Sequence, residues 1–107
     1  MDACPLKIYH APVVAWAIVG SSIRPTGNTV HRVDGRVIGA AAGLAICQST
    51  DSRGFYLFYC DATWNEITDT WHQSLDDAKA QAEFEYHGIG SQWQFLAEPG
   101  ASAEGGA

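Results

Sequence analysis

Positive charge is scarce in this chain. Six Lys and Arg stand against twelve Asp and Glu, for a formal net charge of −6. The six are scattered from Lys7 to Lys79 and form no patch, so the phosphate-neutralising surface that nucleic-acid binding needs is missing. Cysteine is rarer still. Cys4, Cys47 and Cys60 are odd in number and make no C-x-x-C pair, which argues against a disulfide framework and points to free thiols in a reducing cytoplasm. His10, His31, His72 and His87 are scattered, with no H-E-x-x-H or H-x-x-x-H, so no metal ligand set is expected. No phosphate-binding loop follows the glycines of "GAAAG" (Gly39 to Gly43), and no serine sits in a G-x-S-x-G setting. No apolar run reaches membrane-spanning length. The stretch "APVVAWAIVG" (Ala11 to Gly20) reads as a buried strand rather than a signal segment, because Asp2 cancels Lys7, the lone basic residue before it. The expectation is a non-enzymatic protein with no metal, cofactor, nucleic-acid or membrane partner.

What remains is apolar and aromatic. Hydrophobic residues make up 47% of 107 residues and charged ones 17%, which suits one globular domain. Residues 1–11 have no period and read as a loose arm. Residues 12–19 are β-formers closed by Gly20. "TVHRVDGRVIGA" (Thr29 to Ala40) is a hairpin signal, since Asp34-Gly35 suits a two-residue type I′ turn with positive φ at both positions. Residues 37–47 are ambiguous between helix and strand. A break near Gly39 to Gly43, followed by a strand over Leu44 to Cys47, is preferred. "FYLFYC" (Phe55 to Cys60) is apolar on both of its alternating faces, which predicts a central strand covered on each side. "ITDTWH" (Ile67 to His72) returns as its antiparallel partner, with Ile67, Asp69 and Trp71 on one face and Thr68, Thr70 and His72 on the other.

A helix is predicted over residues 74–87. Ser74 and Asp77 make a capping-box variant, and Asp76 and Asp77 suit the positive end of the helix dipole. Leu75, Ala78, Ala82 and Tyr86 form one stripe, its alanines implying close approach to a sheet. Phe84 lies on the opposite face and needs a cover. Residues 91–97 read as a last strand and residues 98–107 as a flexible tail. The whole is an α+β fold: a single domain, residues 1–97, with an antiparallel sheet of five to six strands and one main helix packed on it.

The segment "GFYLFYCD…WN…TDTWH-x-SL-x-x-AK-x-QAEFEY" resembles short bacterial proteins of an uncharacterised family. The resemblance covers Gly54 to Tyr86, about a third of the chain. It implies a small sheet-and-helix domain in a bacterial cytoplasm. It implies no activity and assigns no catalytic residue.

Two functional readings follow. Twelve aromatic residues exceed what one thin core requires, and Trp and Tyr are enriched in interfaces. The first reading is therefore a small acidic protein-binding or regulatory module, forming a homodimer or engaging a basic protein partner. Its contacts would be the aromatic sheet face and the Phe84 side of the helix. The second is a small-ligand or metal pocket near Trp64, Asp69, Trp71 and His72. A Cys60–His72 catalytic dyad is disfavoured, because the hairpin pairing puts these residues at opposite ends of their strands, several residues of about 3.3 Å apart. Whether residues 12–48 or a second subunit cover the other sheet face stays open.

Overall fold

A computed structural model describes residues 1–51 and 53–96. The elements run β1 (Lys7–Ile8), β2 (Ala11–Ile18), β3 (Arg24–Pro25), β4 (His31–Val33), β5 (Arg36–Ile38), β6 (Gly43–Gln48), β7 (Phe55–Cys60) and β8 (Glu66–His72). Then come α1 (Leu75–Glu85), β9 (Tyr86–His87), a 3-10 turn and β10 (Gln94–Phe95). The main sheet is antiparallel, in the order β1-β2-β6-β7-β8, with β10 also pairing to β2. The fold is α+β, as the sequence predicts, and α1 is the one α-helix among the described residues.

The ambiguous residues 37–47 resolve as the end of one hairpin and a central strand. Leu44 to Cys47 in β6 are buried on both faces, which suits their short, purely apolar run. β7 lies between β6 and β8 and is central too. Residues 31–38 form the expected hairpin, with Asp34 and Gly35 at φ 52° and 80°.

The sheet divides two cores. On the helix side, Leu44, Ile46, Leu57 and Tyr59 pack against Ala78, Ala82 and Tyr86. The alanine stripe works as expected: both alanines are buried, letting the helix backbone approach the sheet. On the other side, Ala45, Cys47, Phe58 and Cys60 meet Cys4, Ile8, Ala11 and Trp64. This corrects the loose-arm expectation. Residues 1–11 lack a period because their apolar residues are pinned individually, not along one regular face. Lys7–Ile8 pairs with Ala11–Pro12, and the indole of Trp64 donates to the Asp2 carbonyl at 2.8 Å. So part of the second face is covered from within the chain, by its own N-terminal segment.

The helix also ends sooner than residues 74–87 predict. Ser74 accepts from the Asp77 amide at 3.0 Å, so the N-cap holds, but regular helix stops at Glu85. Tyr86 and His87 turn extended and pair with Arg24 and Pro25. Thr26 supplies the stop: its amide donates to the Glu85 carbonyl at 2.9 Å and its hydroxyl to the Phe84 carbonyl at 2.7 Å. Carbonyls that a longer helix would bond are thus taken by a distant loop. Of the described residues in the predicted last strand, 91–97, Gln94–Phe95 is extended. Residues 98–107, read as a tail, lie outside the described residues.

One further departure matters for the site. Tyr59 pairs with Thr68 and Cys60 with Glu66, so Ile67 is the extra residue of a β-bulge. Ile67 lines a small void beside His31 and Tyr59, on the helix side. It therefore does not share a face with Asp69 and Trp71.

Candidate functional site

The sheet face opposite the helix carries the arrangement with most chemical character. On β7, Tyr56 and Phe58 project to this face with ring centroids 5.6 Å apart and planes 15° from parallel. Trp71 lies opposite Tyr56 in the β7–β8 register, and Asp69 lies opposite Phe58. Trp71 is 50% exposed and folds over Gly54, where an added Cβ would stand 2.4 Å from the indole. Tyr9 closes the far side, its ring edge-on to Phe58 at 6.3 Å. Tyr9, Tyr56, Phe58, Thr50, Asp51 and Asp69 enclose an open recess of about 420 Å³.

Local backbone chemistry places these groups. Tyr9 and His10 form the two-residue turn between β1 and β2, at φ 50° and 66°. Two consecutive non-glycine residues in the left-handed region cost about 1 kcal/mol or more each. The turn carries the Tyr9 ring to its edge contact with Phe58, which helps to offset that cost. The rim is acidic. Glu66 lies within reach of both Asp69 and the Tyr9 hydroxyl. Burial, then hydrogen bonding to Asp69, then its negative charge, push the Glu66 carboxyl up to about 7. Asp69 and Glu66 together give this edge of the recess its acidic character.

The other residues singled out from sequence go elsewhere. Trp64 is buried at φ 65°, edge-on to Trp16 at 5.7 Å, and packs so closely over Gly43 that a Cβ there would be 2.7 Å from its ring. It fastens the N-terminal segment. His72 faces the helix side, where its Nε2 lies 2.7 Å from the Thr70 hydroxyl and burial lowers its pKa. Phe84 is 53% exposed on the outer side of the helix. So Asp69 and Trp71 share a face; Trp64 lies on the same side of the sheet but is buried under the N-terminal segment, and His72 and Phe84 point away. Cys60 and His72 stay apart, since Cys60 pairs with Glu66 and His72 with Phe55. Burial raises the thiol pKa of Cys4 and Cys60 to about 12 and that of Cys47 further, so none is a nucleophile at neutral pH.

A second polar centre escaped sequence reasoning. Glu85 is 5% exposed, on the helix side. Its carboxylate accepts from His31 Nε2 at 2.7 Å, from Gln81 Nε2 at 2.7 Å and from the Tyr59 hydroxyl. The other nitrogen of His31 meets the Thr68 hydroxyl at 3.0 Å, and its ring lies 4.2 Å from that of Tyr59. Burial, then the hydrogen bond to Glu85, raise the Tyr59 hydroxyl, which stays a donor throughout the ordinary pH range. The signal was present in the sequence: Glu85 follows Ala78 by seven residues and Ala82 by three, on the core stripe. The partners come from β4, β7 and α1, and no local pattern announces them. A cavity of about 170 Å³ adjoins this centre, bounded by Gly27, His31, Gly39, Glu85 and Tyr86.

Among the described residues, no group of three or more His, Cys, Asp or Glu side chains gathers as a metal site. None of the described helices is long and apolar enough to cross a membrane. Comparison with protein-family models, with curated proteins and with solved structures finds no match.

Proposed function

We propose that this is a small acidic binding module that acts by protein–protein contact, with the Tyr9–Tyr56–Phe58–Asp69 recess as its contact point. One observation carries the reading: an open aromatic concavity rimmed by Asp51 and Asp69, beside the exposed indole of Trp71. Ring faces attract cations, and carboxylates add direct charge pairing, so the recess favours a cationic side chain of a partner. Arginine fits best, because its flat guanidinium stacks on aromatic rings and is weakly hydrated. The setting that suits this reading is a bacterial cytoplasm, supported by three buried cysteines without a disulfide.

The small-ligand alternative at Trp64, Asp69, Trp71 and His72 draws no support from the geometry, because these four side chains do not converge. The test is an NMR titration with N-acetyl-arginine methylamide, using the citrulline analogue as the uncharged control. Saturable shifts of the Tyr56, Phe58 and Trp71 ring signals are expected with the arginine compound and not with citrulline. They should weaken at least about tenfold in Asp69→Asn, the scale of one charge-assisted contact. Equal responses to the two compounds, or none to either, would reject the recess as a cation site.

A further inference from the structure

The chain carries a surface that complements its own recess. The β4–β5 hairpin stands apart from the main sheet as a two-stranded ribbon. Two of the chain's six basic residues, Arg32 and Arg36, sit on it, and both are exposed. The register pairs each with a valine: Arg32 with Val37, and Arg36 with Val33. Those valines are exposed too, Val37 at 61%. The Arg32–Val37 face of this ribbon matches an aromatic, acidic concavity in both polarity and charge.

The hairpin is not placed to fill the recess of its own chain. His31 and Ile38 turn inward to the cavity beside Glu85 and Tyr86, on the helix side of the sheet. Arg32 and Val37, one position along each strand, face the opposite way. Asp69, Tyr56 and Phe58 lie on the far face of the sheet. The complementary surfaces therefore meet only between molecules.

We infer that two copies associate by exchanging hairpins, each seating Arg32 in the partner copy's recess, against the Tyr56 and Phe58 rings and the Asp69 carboxylate, with Val37 over the aromatic floor. The inference rests on the recess being a cation site, and it names the occupant. A two-fold axis makes the contact reciprocal, which closes the assembly at a dimer. The His31–Glu85 pair then has a second role: it anchors the base of the ribbon, so the tip is presented already ordered and little entropy is lost on docking.

The experiment is a charge swap read by sedimentation velocity on the full chain. Wild type is expected to dimerise at concentrations up to about 100 μM, the weak end of specific association. Arg32→Glu and Asp69→Arg, each alone, should weaken the dimer by at least roughly thirty-fold, because each opposes like charges across a close contact. Mixed in equal amounts, they should restore it, since one original contact and one reversed pair then form. Both positions are exposed, so circular dichroism should report an unchanged fold. Arg32→Ala and Asp69→Ala, which carry no repulsion, should weaken association in the same order. A monomeric wild type, single variants that associate as well as wild type, or a mixture that stays monomeric would each overturn hairpin exchange. The arginine titration separates the two levels. Saturable arginine binding by a monomeric protein would leave the recess standing and assign its cation to a different partner.

Discussion

The two faces of the sheet solve the problem of buried and half-buried polar groups in opposite ways. On the helix side, Glu85 is almost wholly enclosed, yet three side-chain donors satisfy it, and one of them, His31, is bonded at both ring nitrogens. On the other side, Asp69 is exposed and Glu66 half-buried, and burial and the neighbouring Asp69 raise the Glu66 carboxyl. The first arrangement is complete and rigid, which is what a structural clasp requires. The second is unfinished. A site that binds must leave its strongest interaction unmade until the partner arrives, and the contrast teaches where to look for function.

Breaking the closed side should cost most. Glu85→Ala leaves the donors of His31, Gln81 and Tyr59 without their acceptor and is expected to lose about 3 kcal/mol of stability. Urea denaturation measures it, and a loss under about 1 kcal/mol would show that the network is not a structural anchor. On the open side, Gly54→Ala should cost about 2 kcal/mol. Gly54 sits at φ 133°, and the new methyl group would displace Trp71. A shift in tryptophan emission should accompany the loss, and unaltered emission would contradict the packing of Trp71 over Gly54.

A pH series sharpens the contrast with a smaller effect. The folded state holds the Glu66 proton more tightly than the unfolded chain, up to about 7 against an ordinary 4.5. Its stabilising contribution is therefore fully present below about 4.5 and is lost as the pH rises toward 7. Melting temperatures of wild type and Glu66→Gln should diverge across that window, the variant showing the flatter profile. Parallel profiles would show that the folded state does not raise the Glu66 carboxyl. The smallest expected change is a gain: His10→Gly relieves one left-handed residue in the turn beside Tyr9 and should add about 0.5 kcal/mol. A loss at that position would mean that the His10 side chain contributes more than its backbone costs.

Much of the architecture was legible because its signals are local. The Asp34-Gly35 turn, the two-faced apolar run of Phe55 to Cys60, the Ser74 cap and the Ala78–Ala82 stripe each depend on neighbours within a few residues. The misreadings share the opposite character. Helix α1 stops at Glu85 because Thr26, almost sixty positions earlier, takes its carbonyls. The N-terminal arm is ordered because Phe58 of β7 and Trp64 of the turn after it reach it from far along the chain. Ile67 changes face because of a bulge, which strict alternation cannot foresee. Of the candidate site, the pairing of Asp69 with Trp71 on one face followed from the period of a strand. The recess itself needed Tyr9, delivered from the other end of the chain.

By itself, the sequence determined the fold class, the order of its main elements, the acidic charge and the excess of aromatic side chains. Propensity, period and composition act over a few residues or over the whole chain at once. Tertiary structure alone decided which aromatics became core, as with Trp64, and which remained open, as with Tyr9 and Trp71. It alone turned Glu85 from a helix carboxylate into the centre of a buried network, and it separated the basic hairpin from the acidic recess. These outcomes depend on contacts between residues far apart in the chain, where packing and desolvation, rather than local preference, choose each partner.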